Sequence, residues 1–572
     1  MRDVKAPRVK IDPKSLAPKS ALDFDGLVTW VENVVPKLRQ CGVPRPRRNH
    51  IQRMFEILDH AGSEEVLAYD WIALAKKIAQ QLGFDAPKLS GPRKFAIREP
   101  RIRTPGAAPP WGRGSLPPSG SSAPRKRRRE KRLATRPRRE PIEMNPQLEK
   151  AFKAVANGKP IIFVTGGAGT GKSTFIRELR ERFSEKQSVV LAPTGVAALN
   201  AGGQTIHSFC KLPLRVVTPE DIREVDDRTV IEKLELLIID EISMVRADIL
   251  DGLEAFLRVN RRSKVPFGGV QVVLVGDLFQ LPPVVTRSDR PFLEERYDSP
   301  FFFSARSLKG LSFAPVELRT VYRQRDPEFA TMLRAIREAD TPHDAIDRIN
   351  RQCVGRELSG RYLTLVPTRN AAAARNERSL AALSGSAKEY KAQVEGTFAT
   401  GSDDRTPAPQ TLALKPGAQV MFVRNHPEKL WVNGTVGTVE KMSRESIRVR
   451  LDDGASVEVE PVIWENIRYS WDEKEQRIVD EVVGTFTQFP LMPAWAVTIH
   501  KAQGLTLDRV AIDLGGGAFA DGQIYVALSR CRSLEGLSLA RAVRPHEIRA
   551  SEASRDFYSR IRTRSRPVSQ ST

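Results

Sequence analysis

Short apolar strands alternate with helical stretches along the chain from about Met144 onward. The candidate core strands are nearly all apolar and rich in β-branched side chains, which is typical of strands buried on both faces. They are Ile161–Val164, Val189–Ala192, Leu236–Ile239, Val270–Val275, Tyr362–Val366 and Val510–Ile512. This alternation predicts an α/β fold built on parallel sheets.

Between residues 411 and 488 the pattern changes to strands separated by tight turns, at Asn433-Gly434 and Asp453-Gly454. We therefore predict a small β-barrel inserted into the second of two α/β domains. The predicted boundaries are residues 141–300 for the first domain, 301–395 and 491–545 for the second, 396–490 for the barrel and 546–572 for a basic C-terminal tail.

The N-terminal part of the chain has a different character. Residues 22–83 carry apolar positions at helical spacing, which predicts a small accessory helical module within residues 1–87. Residues 88–140 are rich in Pro, Gly and Ser, and residues 93–140 hold sixteen Lys and Arg against three Glu. Such a segment cannot bury enough apolar surface to order itself, so we predict a flexible, disordered linker.

The formal net charge of +22 makes a polyanion the expected partner, with a basic membrane-surface protein as the competing interpretation. Residues 93–140 contribute +13 of this charge, so the remaining residues are only moderately basic at +9. The basic run Arg125–Arg132 is consistent with two roles, a tether for phosphates and a nuclear-import signal.

The sequence shows no run of eighteen apolar residues and no apolar signal core, so we predict no transmembrane helix. Among the expected partners we include DNA and no membrane. The cysteines at 41, 210, 353 and 531 have no CxxC spacing, which predicts neither a disulfide framework nor a metal cluster. We expect an intracellular protein, cytoplasmic and nucleoid-associated in a bacterium. Nuclear localisation is the alternative if the basic run is an import signal.

A GxxxxGK[ST] loop, GGAGTGKST, begins at Gly166, directly after a predicted strand and before a helical stretch. Glycines allow backbone amides to surround phosphates, and the helix N-terminus adds partial positive charge. Lys172 would reach the β- and γ-phosphates, and Ser173 would bind Mg²⁺. The sequence therefore predicts a site for ATP and Mg²⁺ formed by Gly167, Gly169, Thr170, Gly171, Lys172, Ser173 and Thr174.

Two further predicted strands end in polar residues that suit ATP hydrolysis. Asp240 and Glu241 follow the strand Leu236–Ile239; Asp240 would hold Mg²⁺ through water, and Glu241 would act as the general base. Gln280 follows the strand Val270–Val275 and is placed to sense the γ-phosphate and pass its state to a bound nucleic-acid strand. This arrangement points beyond an ATPase towards a nucleic-acid motor.

Arg323 and Arg530 are the candidate arginine fingers, because each lies in a specific motif context, YRQ and ALSR. Such residues contribute roughly 10³–10⁵ to turnover by neutralising transition-state charge. If both come from the second domain, hydrolysis requires the cleft between the domains to close.

Candidate DNA-binding residues cluster near predicted strand ends. Hydroxyl groups, backbone amides, His and Lys can hold phosphates, and Phe209 would stack a base, which contributes roughly 1–3 kcal/mol. The candidates are Pro193, Thr194, His207, Ser208, Phe209, Thr498, His500 and Lys501.

With these motifs in place, the chain resembles the Pif1-type helicases of superfamily one from about residue 141 to 545. The segments that carry the resemblance occur in order: NPQ, GGAGTGKST, APTGVAA, GQTIHSF, IIDEISM, FGGVQVVLVGDLFQLPPV, YRQ, LKPGAQVMF with NGTVG, VTIHKAQG and GQIYVALSR. Residues 1–140 lie outside this resemblance.

The resemblance implies two RecA-like domains with ATP between them, an SH3-like barrel and a wedge-like insertion at residues 211–233. Gln147 is similar to the glutamine that recognises adenine, and Gln280 to the residue that couples the γ-phosphate to DNA. The implied activity is 5′-to-3′ translocation on single-stranded DNA and unwinding at single-strand/duplex junctions, in replication, repair or recombination.

A second hypothesis comes from the basic linker and the unassigned N-terminal module. It is a DNA-tethering, partner-recruiting remodeller with weak or no processive unwinding. Under either hypothesis we expect a monomeric motor whose protein partners bind through residues 1–140.

Overall fold

The computed structural model of the 572-residue chain describes residues 144–324, 326–339, 342–398, 406–518 and 520–565. The predicted N-terminal module and the basic linker lie outside the described residues. Among the helices of the described part, none combines the length and the apolar character that a membrane span requires.

The first domain is a six-stranded parallel sheet with helices on its faces. Its strands are β1 (Ile161–Gly166), β2 (Ser188–Ala192), β3 (Gln204–Thr205), β4 (Leu236–Ile239), β5 (Gln271–Gly276) and β6 (Phe313–Leu318). Its helices are α1 (Pro146–Ala156), α2 (Lys172–Arg182), α3 (Gly195–Ala201), α4 (Ile206–Cys210), α5 (Thr229–Lys233), α6 (Ala247–Asn260) and α7 (Arg290–Arg296).

The strand order β3-β2-β4-β5-β1-β6 explains where the functional loops meet. Every residue of β1, β4 and β5 is buried, as their β-branched, apolar sequences predict. Because all neighbouring strands are parallel, their carboxyl ends lie along one edge of the sheet. The loops that follow β1, β4 and β5 therefore open side by side.

The first domain extends past residue 300, its predicted end. β6 pairs with β1 in parallel from Phe313 to Leu318 and forms the edge of the sheet. The strand is only partly buried and contains Pro315, which is tolerated at a sheet edge. It therefore lacks the uniform apolar run that marks the central strands.

The second domain begins with helices α8 (Pro327–Glu338) and α9 (Pro342–Cys353), strand β7 (Leu363–Val366) and helix α10 (Arg369–Ala381). Ten strands then interrupt it: β8 (Lys388–Lys391), β9 (Gln393–Gly396), β10 (Thr411–Leu414), β11 (Gln419–Phe422), β12 (Val436–Met442), β13 (Ile447–Leu451), β14 (Ser456–Val459), β15 (Val462–Asp472), β16 (Arg477–Gln488) and β17 (Leu491–Pro493). They form antiparallel sheets ordered β14-β13-β12-β11-β17, β15-β16-β9 and β10-β8.

The second sheet resumes with β18 (Ala496–Thr498), β19 (Val510–Ile512) and β20 (Leu537–Leu539), and helices α11 (Gln523–Leu528) and α12 (Glu552–Ser565) complete the described chain. Its order is β18-β7-β19-β20, and every pair is parallel. The predicted α/β fold with two parallel sheets and an antiparallel insertion is therefore confirmed.

The long β15–β16 hairpin of the insertion packs on the first domain. The hydroxyl of Tyr469 accepts from the Val190 amide (3.0 Å) and donates to the Val190 carbonyl (3.2 Å), which satisfies both backbone groups of this residue in β2. The Ile478 amide donates to the Gln187 side chain at 2.8 Å. The hairpin thus supplies a side-chain cap to the first sheet.

Helix α6 anchors the insertion at residues 211–233. The Asp248 carboxylate accepts from the Val217 amide at 2.9 Å, and the Asn260 side chain accepts from the Val225 amide at 2.8 Å. Both anchoring side chains are buried. Asp248 and Asn260 therefore hold the insertion against the first domain.

The predicted basic tail over residues 546–572 contains the ordered helix α12. Phe557 stacks on Phe303 with 4.6 Å between ring centroids, and Tyr558 and Ile561 are also buried. In the sequence these three residues lie among Arg and Ser residues, so the basic composition of the segment does not indicate a helix. The helix nevertheless packs on the first domain through them.

Candidate functional site

The phosphate-binding loop joins β1 to α2. Gly169 and Gly171 have φ of +78° and +88°, a backbone region in which a side chain would be strained. The Nζ of Lys172 donates to the carbonyls of Gly166 (2.9 Å) and Gly167 (3.0 Å). Burial lowers the pKa of Lys172, so a phosphate beside it would stabilise its charged form.

The other predicted ATP-binding residues belong to the same loop and the helix after it. The hydroxyl of Thr170 donates to the Gly167 carbonyl at 2.9 Å and closes the loop. Ser173 and Thr174 lie in the first turn of α2, and Ser173 is exposed. The Ser173 hydroxyl is therefore accessible to a ligand at the helix N-terminus.

Asp240 and Glu241 directly follow β4. Asp240 accepts from the Glu241 amide at 2.8 Å, and Glu241 has a φ of +49°, which is unusual for a residue other than glycine. Burial and the neighbouring Glu241 raise the pKa of Asp240 to about 7, and burial also raises the pKa of Glu241. A divalent cation would stabilise both charges, so the carboxylates and the Ser173 hydroxyl fit Mg²⁺.

Two glutamines, Gln503 of the second domain and Gln280 of the first, are hydrogen-bonded to each other beside Glu241. The amide of Gln503, which follows β18 in the second domain, donates to Glu241 Oε2 (3.2 Å) and to Gln280 Oε1 (3.1 Å). Gln280 is buried, and its own amide donates to Asp277 at 3.2 Å. Gln280 thus lies inside a continuous hydrogen-bonded chain beside the predicted general base.

Arg323 and Arg530 lie between the phosphate-binding loop and the second domain. A Cβ on Gly169 would lie 2.4 Å from the Arg323 Cβ, so the two backbones are in close contact. Arg323 donates to the carbonyls of Gly504 (3.3 Å) and Ser529 (3.4 Å), and the fully buried Arg530 donates to the Ser529 hydroxyl (2.8 Å). Burial lowers the pKa of both arginines, so an anionic phosphate would stabilise them.

Gln147 lies in the first turn of α1, on the same side of the first domain. Its Oε1 accepts from the Thr320 hydroxyl at 3.3 Å, and the neighbouring Asn145 donates to the Tyr322 hydroxyl at 2.9 Å. The Tyr322 ring lies 3.8 Å from the position of a Cβ on Gly171. Gln147 is thus close to the phosphate-binding loop, and its recognition of adenine stays a prediction.

The first group of predicted DNA-binding residues follows β2. Thr194 is exposed and caps α3 by accepting from the Ala197 amide at 3.2 Å, and Pro193 before it is half-buried. Ser208 is exposed, whereas burial and the nearby Arg246 lower the pKa of His207. These residues share one end of the sheet, and their contact with DNA stays a prediction.

Phe209 belongs to the same group but has partners within the protein. Its ring packs edge-on against Phe256 at 6.2 Å and Tyr469 at 6.3 Å between centroids, and it is half-buried. These contacts connect α4 to α6 and to the inserted hairpin. A base that stacked on Phe209 would have to use the remaining exposed part of the ring.

The second group lies at the end of β18 in the second domain. The Thr498 hydroxyl accepts from the Lys501 amide at 3.1 Å, which fixes the turn after the strand. His500 is exposed and Lys501 is half-buried. The same turn leads to Gln503, so this surface is two residues from the glutamine that contacts Glu241.

Asp277, Arg337 and Tyr525 were not predicted as site residues, although they join the two domains beside the phosphate-binding loop. One signal for Asp277 was available, since it follows β5 as Asp240 follows β4. Arg337 lies four residues after the buried Leu333 on α8, so an inward-facing arginine was also detectable. Tyr525 carried no comparable signal in its apolar helix.

Comparison with known sequences places these motifs in a family. The profile of the PIF1-like helicases matches residues 143–343, and a second helicase profile matches residues 477–556. The ATP-dependent DNA helicase Pif1 of Bdellovibrio bacteriovorus is 35% identical over 410 residues, which are 70% of this chain and 88% of that protein. The Homo sapiens ATP-dependent DNA helicase PIF1 is 35% identical over 434 residues, covering 73% of this chain and 64% of its own length.

Solved structures agree with this assignment. Pif1 from Bacteroides sp in complex with ADP-AlF4 is 37% identical with a TM-score of 0.68, and the match covers 74% of this chain and 98% of that one. Bacteroides Pif1 bound to ssDNA is 38% identical over the same shares, with a TM-score of 0.55. The chain therefore belongs to the PIF1-like helicase family.

Proposed function

We propose that this protein is an ATP-dependent DNA helicase that moves 5′-to-3′ on single-stranded DNA and unwinds duplexes or stable DNA structures. The hydrogen-bonded chain from Glu241 through Gln503 to Gln280 carries the proposal. It connects the predicted general base of ATP hydrolysis to a second-domain turn that also holds Thr498 and His500. A change at the γ-phosphate would therefore be transmitted to a surface suited to DNA phosphates.

The site residues have complementary roles in this proposal. The phosphate-binding loop and Lys172 hold the phosphates, and Glu241 accepts a proton from the attacking water. Arg323 and Arg530 neutralise the charge that develops on the transferred phosphoryl group. When bound, Mg²⁺ neutralises phosphate charge, and Ser173 and Asp240 would hold it.

The DNA partner is proposed from the relatives together with this chain's own residues. Solved relatives include Bacteroides Pif1 bound to ssDNA and a structure of two coordinating Pif1 helicases at forked dsDNA. Thr194 lies just after the carboxyl end of β2 in the first domain, and Thr498 lies at the carboxyl end of β18 in the second. A DNA strand held across both domains would need binding groups on each of them. Closure of the cleft would change their separation and advance the motor.

The direction of movement is tested with three duplexes that carry a 5′ tail, a 3′ tail or no tail. We expect unwinding from the 5′ tail in the presence of ATP and Mg²⁺. Unwinding from the 3′ tail alone would contradict the proposed polarity.

The ATP site is tested with Lys172→Ala, which removes the cation at the phosphates and should lower DNA-stimulated ATP turnover about a hundredfold or more. Lys264→Ala removes an equally long but exposed side chain and serves as the matched control. Binding of single-stranded DNA should change little in either variant. Normal turnover in Lys172→Ala would reject the proposed site.

The tethering hypothesis is tested by deleting residues 1–140. If those residues are a tether, unwinding at low salt persists while binding at high salt weakens. For every DNA phosphate that the deleted segment neutralises, the log–log salt slope of single-strand binding should become shallower by about 0.7. Loss of unwinding at low salt would instead show that the segment belongs to the motor.

A further inference from the structure

The Asp277 carboxylate is completely buried where the two domains meet. Its Oδ2 accepts from the Tyr525 hydroxyl and from the Gln280 amide, both at 3.2 Å. Its Oδ1 accepts from Arg337 Nε at 2.9 Å. Burial alone would raise the pKa of Asp277, but the adjacent positive charges, led by Arg337, lower it. A buried carboxylate with this many donors has one fixed orientation.

The Tyr525 hydroxyl joins this carboxylate to the phosphate-binding loop. It accepts a hydrogen bond from the Ala168 amide at 2.7 Å and donates one to Asp277. The direction of both hydrogen bonds is therefore fixed. A Cβ on Gly167 would lie 3.2 Å from the same hydroxyl, which shows how closely the loop approaches. Ala168 is part of the loop that surrounds the phosphates. The Tyr525 hydroxyl therefore forms a direct hydrogen bond between the second domain and that loop.

Tyr525 and the predicted arginine finger belong to one short element. Tyr525 lies in α11, and Arg530 follows two residues after this helix ends. The guanidinium of Arg530 donates back to the Val526 carbonyl at 2.9 Å, so the finger is tied to the helix. A displacement of Tyr525 relative to the loop would therefore displace Arg530 by a similar distance.

Arg337 fixes the other end of the arrangement. It is buried, and its guanidinium carbon lies 4.6 Å from the centre of the Phe279 ring and 5.3 Å from that of Tyr558. These rings come from the first domain and from α12, while Arg337 itself lies in α8 of the second domain. Cation–π contacts and the ion pair together hold the guanidinium in one plane.

We propose that Asp277, Arg337 and Tyr525 form a positioning triad that sets the location of Arg530 relative to the phosphate-binding loop. This proposal rests on the proposed helicase function, and none of the three residues is among the predicted nucleotide-binding or DNA-binding residues. It binds Gln280 through the same carboxylate, so the finger and the γ-phosphate sensor share one support. Loss of a triad bond should therefore lower turnover without weakening ATP binding.

The test compares DNA-stimulated ATP hydrolysis of the full-length protein with that of Tyr525→Phe, which removes one oxygen and keeps the ring. We expect kcat to fall about tenfold and the KM for ATP to stay within about twofold. Tyr390→Phe is the matched control, because the Tyr390 hydroxyl donates to the Ser443 carbonyl within the β insertion. Its kcat and KM should equal those of the unmodified protein.

Two further variants separate positioning from general stability. Arg337→Lys keeps the charge but loses the planar fork, so it should also lower kcat with little change in KM. Asp277→Asn combined with Tyr525→Phe should cost less than the product of the two single losses, because the residues act as a unit. The melting temperature of Tyr525→Phe should match that of Tyr390→Phe.

The outcomes separate the triad from the helicase proposal itself. Unchanged kcat in Tyr525→Phe, or a joint loss of kcat, ATP affinity and melting temperature, would overturn the triad. If the unmodified protein shows no DNA-stimulated hydrolysis, the proposed function fails instead. A tenfold kcat loss in an otherwise stable Tyr525→Phe protein supports the triad.

Discussion

The two faces of the predicted ATP cleft use similar side chains but hold them in different ways. On the first-domain face, Lys172, Asp240 and Gln280 each follow a buried strand within a few residues. On the second-domain face, Arg323 and Gln503 lie in turns and bond to groups far away along the chain, while Arg530 bonds to the end of its own helix and to the Leu505 carbonyl. The first face is therefore set by local strand–loop geometry, and the second by packing between distant parts of the chain.

This difference teaches where the cleft is vulnerable. The parallel sheet supports the first face, so a surface change elsewhere should leave its loops in place. The second face contacts the first at Gly169 and at Gly522, where the two chain segments are too close to accommodate an added Cβ atom. Small changes at these two glycines should therefore separate the faces while each domain stays folded.

The largest effect is expected from Gly169→Ala and Gly522→Ala. A Cβ would lie 2.4 Å from the Arg323 Cβ in the first variant and 2.4 Å from the Phe279 carbonyl oxygen in the second. Both residues have positive φ, so strain adds to the clash. Each variant should lose about a hundredfold in DNA-stimulated ATP turnover.

Gly454→Ala is the control for backbone strain alone, because Gly454 has a φ of +88° with nothing within 4 Å of the added Cβ. It should change ATP turnover less than about threefold, since the strain is confined to a turn of the insertion. A loss in Gly454→Ala as large as in the cleft variants would show that strain, and not the contact between faces, is responsible.

A smaller effect should show that even the first face depends on a distant part of the chain. Tyr469→Phe removes the hydroxyl that bonds both backbone groups of Val190 in β2. Loss of these bonds should weaken local protection by about 1–3 kcal/mol. Hydrogen exchange at the Val190 amide should therefore accelerate roughly tenfold or more.

The control for this change is Tyr390→Phe, which removes a hydroxyl that bonds to Ser443 within the insertion and not to the first sheet. Exchange in β2 should then match that of the unmodified protein. If the Val190 amide exchanged as slowly in Tyr469→Phe as in the unmodified protein, the Tyr469 hydroxyl of the docked hairpin would not protect the first sheet.

The smallest effects are expected at the two threonines of the predicted DNA surface. Thr194→Ala and Thr498→Ala each lose one side-chain bond to a backbone amide, worth about 0.5–2 kcal/mol locally. If they also bind DNA phosphates, each should weaken single-strand binding several-fold. Titration with a fluorescent oligonucleotide measures this loss.

Thr286→Ala isolates the structural part of that loss. Thr286 also accepts from a backbone amide, that of Asp289 at 3.2 Å, but lies outside the predicted DNA surface. Its DNA affinity should stay unchanged. Equal losses in all three variants would remove the case for direct contacts by Thr194 and Thr498.

Much of the fold was predictable because central parallel strands carry their own signal. The runs Leu236–Ile239 and Val510–Ile512 were predicted with the bounds that the structure shows. The edge strand Phe313–Leu318 was not, because partial burial and Pro315 weaken the apolar pattern. Helix α12 was also missed, because few of its residues are apolar.

The sequence by itself determined the phosphate-binding loop, the carboxylates after β4 and the identity of the family, because these features are contiguous and their chemistry depends on neighbouring residues. Only the tertiary structure decided that Asp277 meets Arg337 and Tyr525, which are 60 and 248 residues away along the chain. No local pattern encodes such a meeting. It results from the packing of two domains, each built on a parallel sheet. This packing brings hydrogen-bond donors of the second domain to a buried carboxylate of the first.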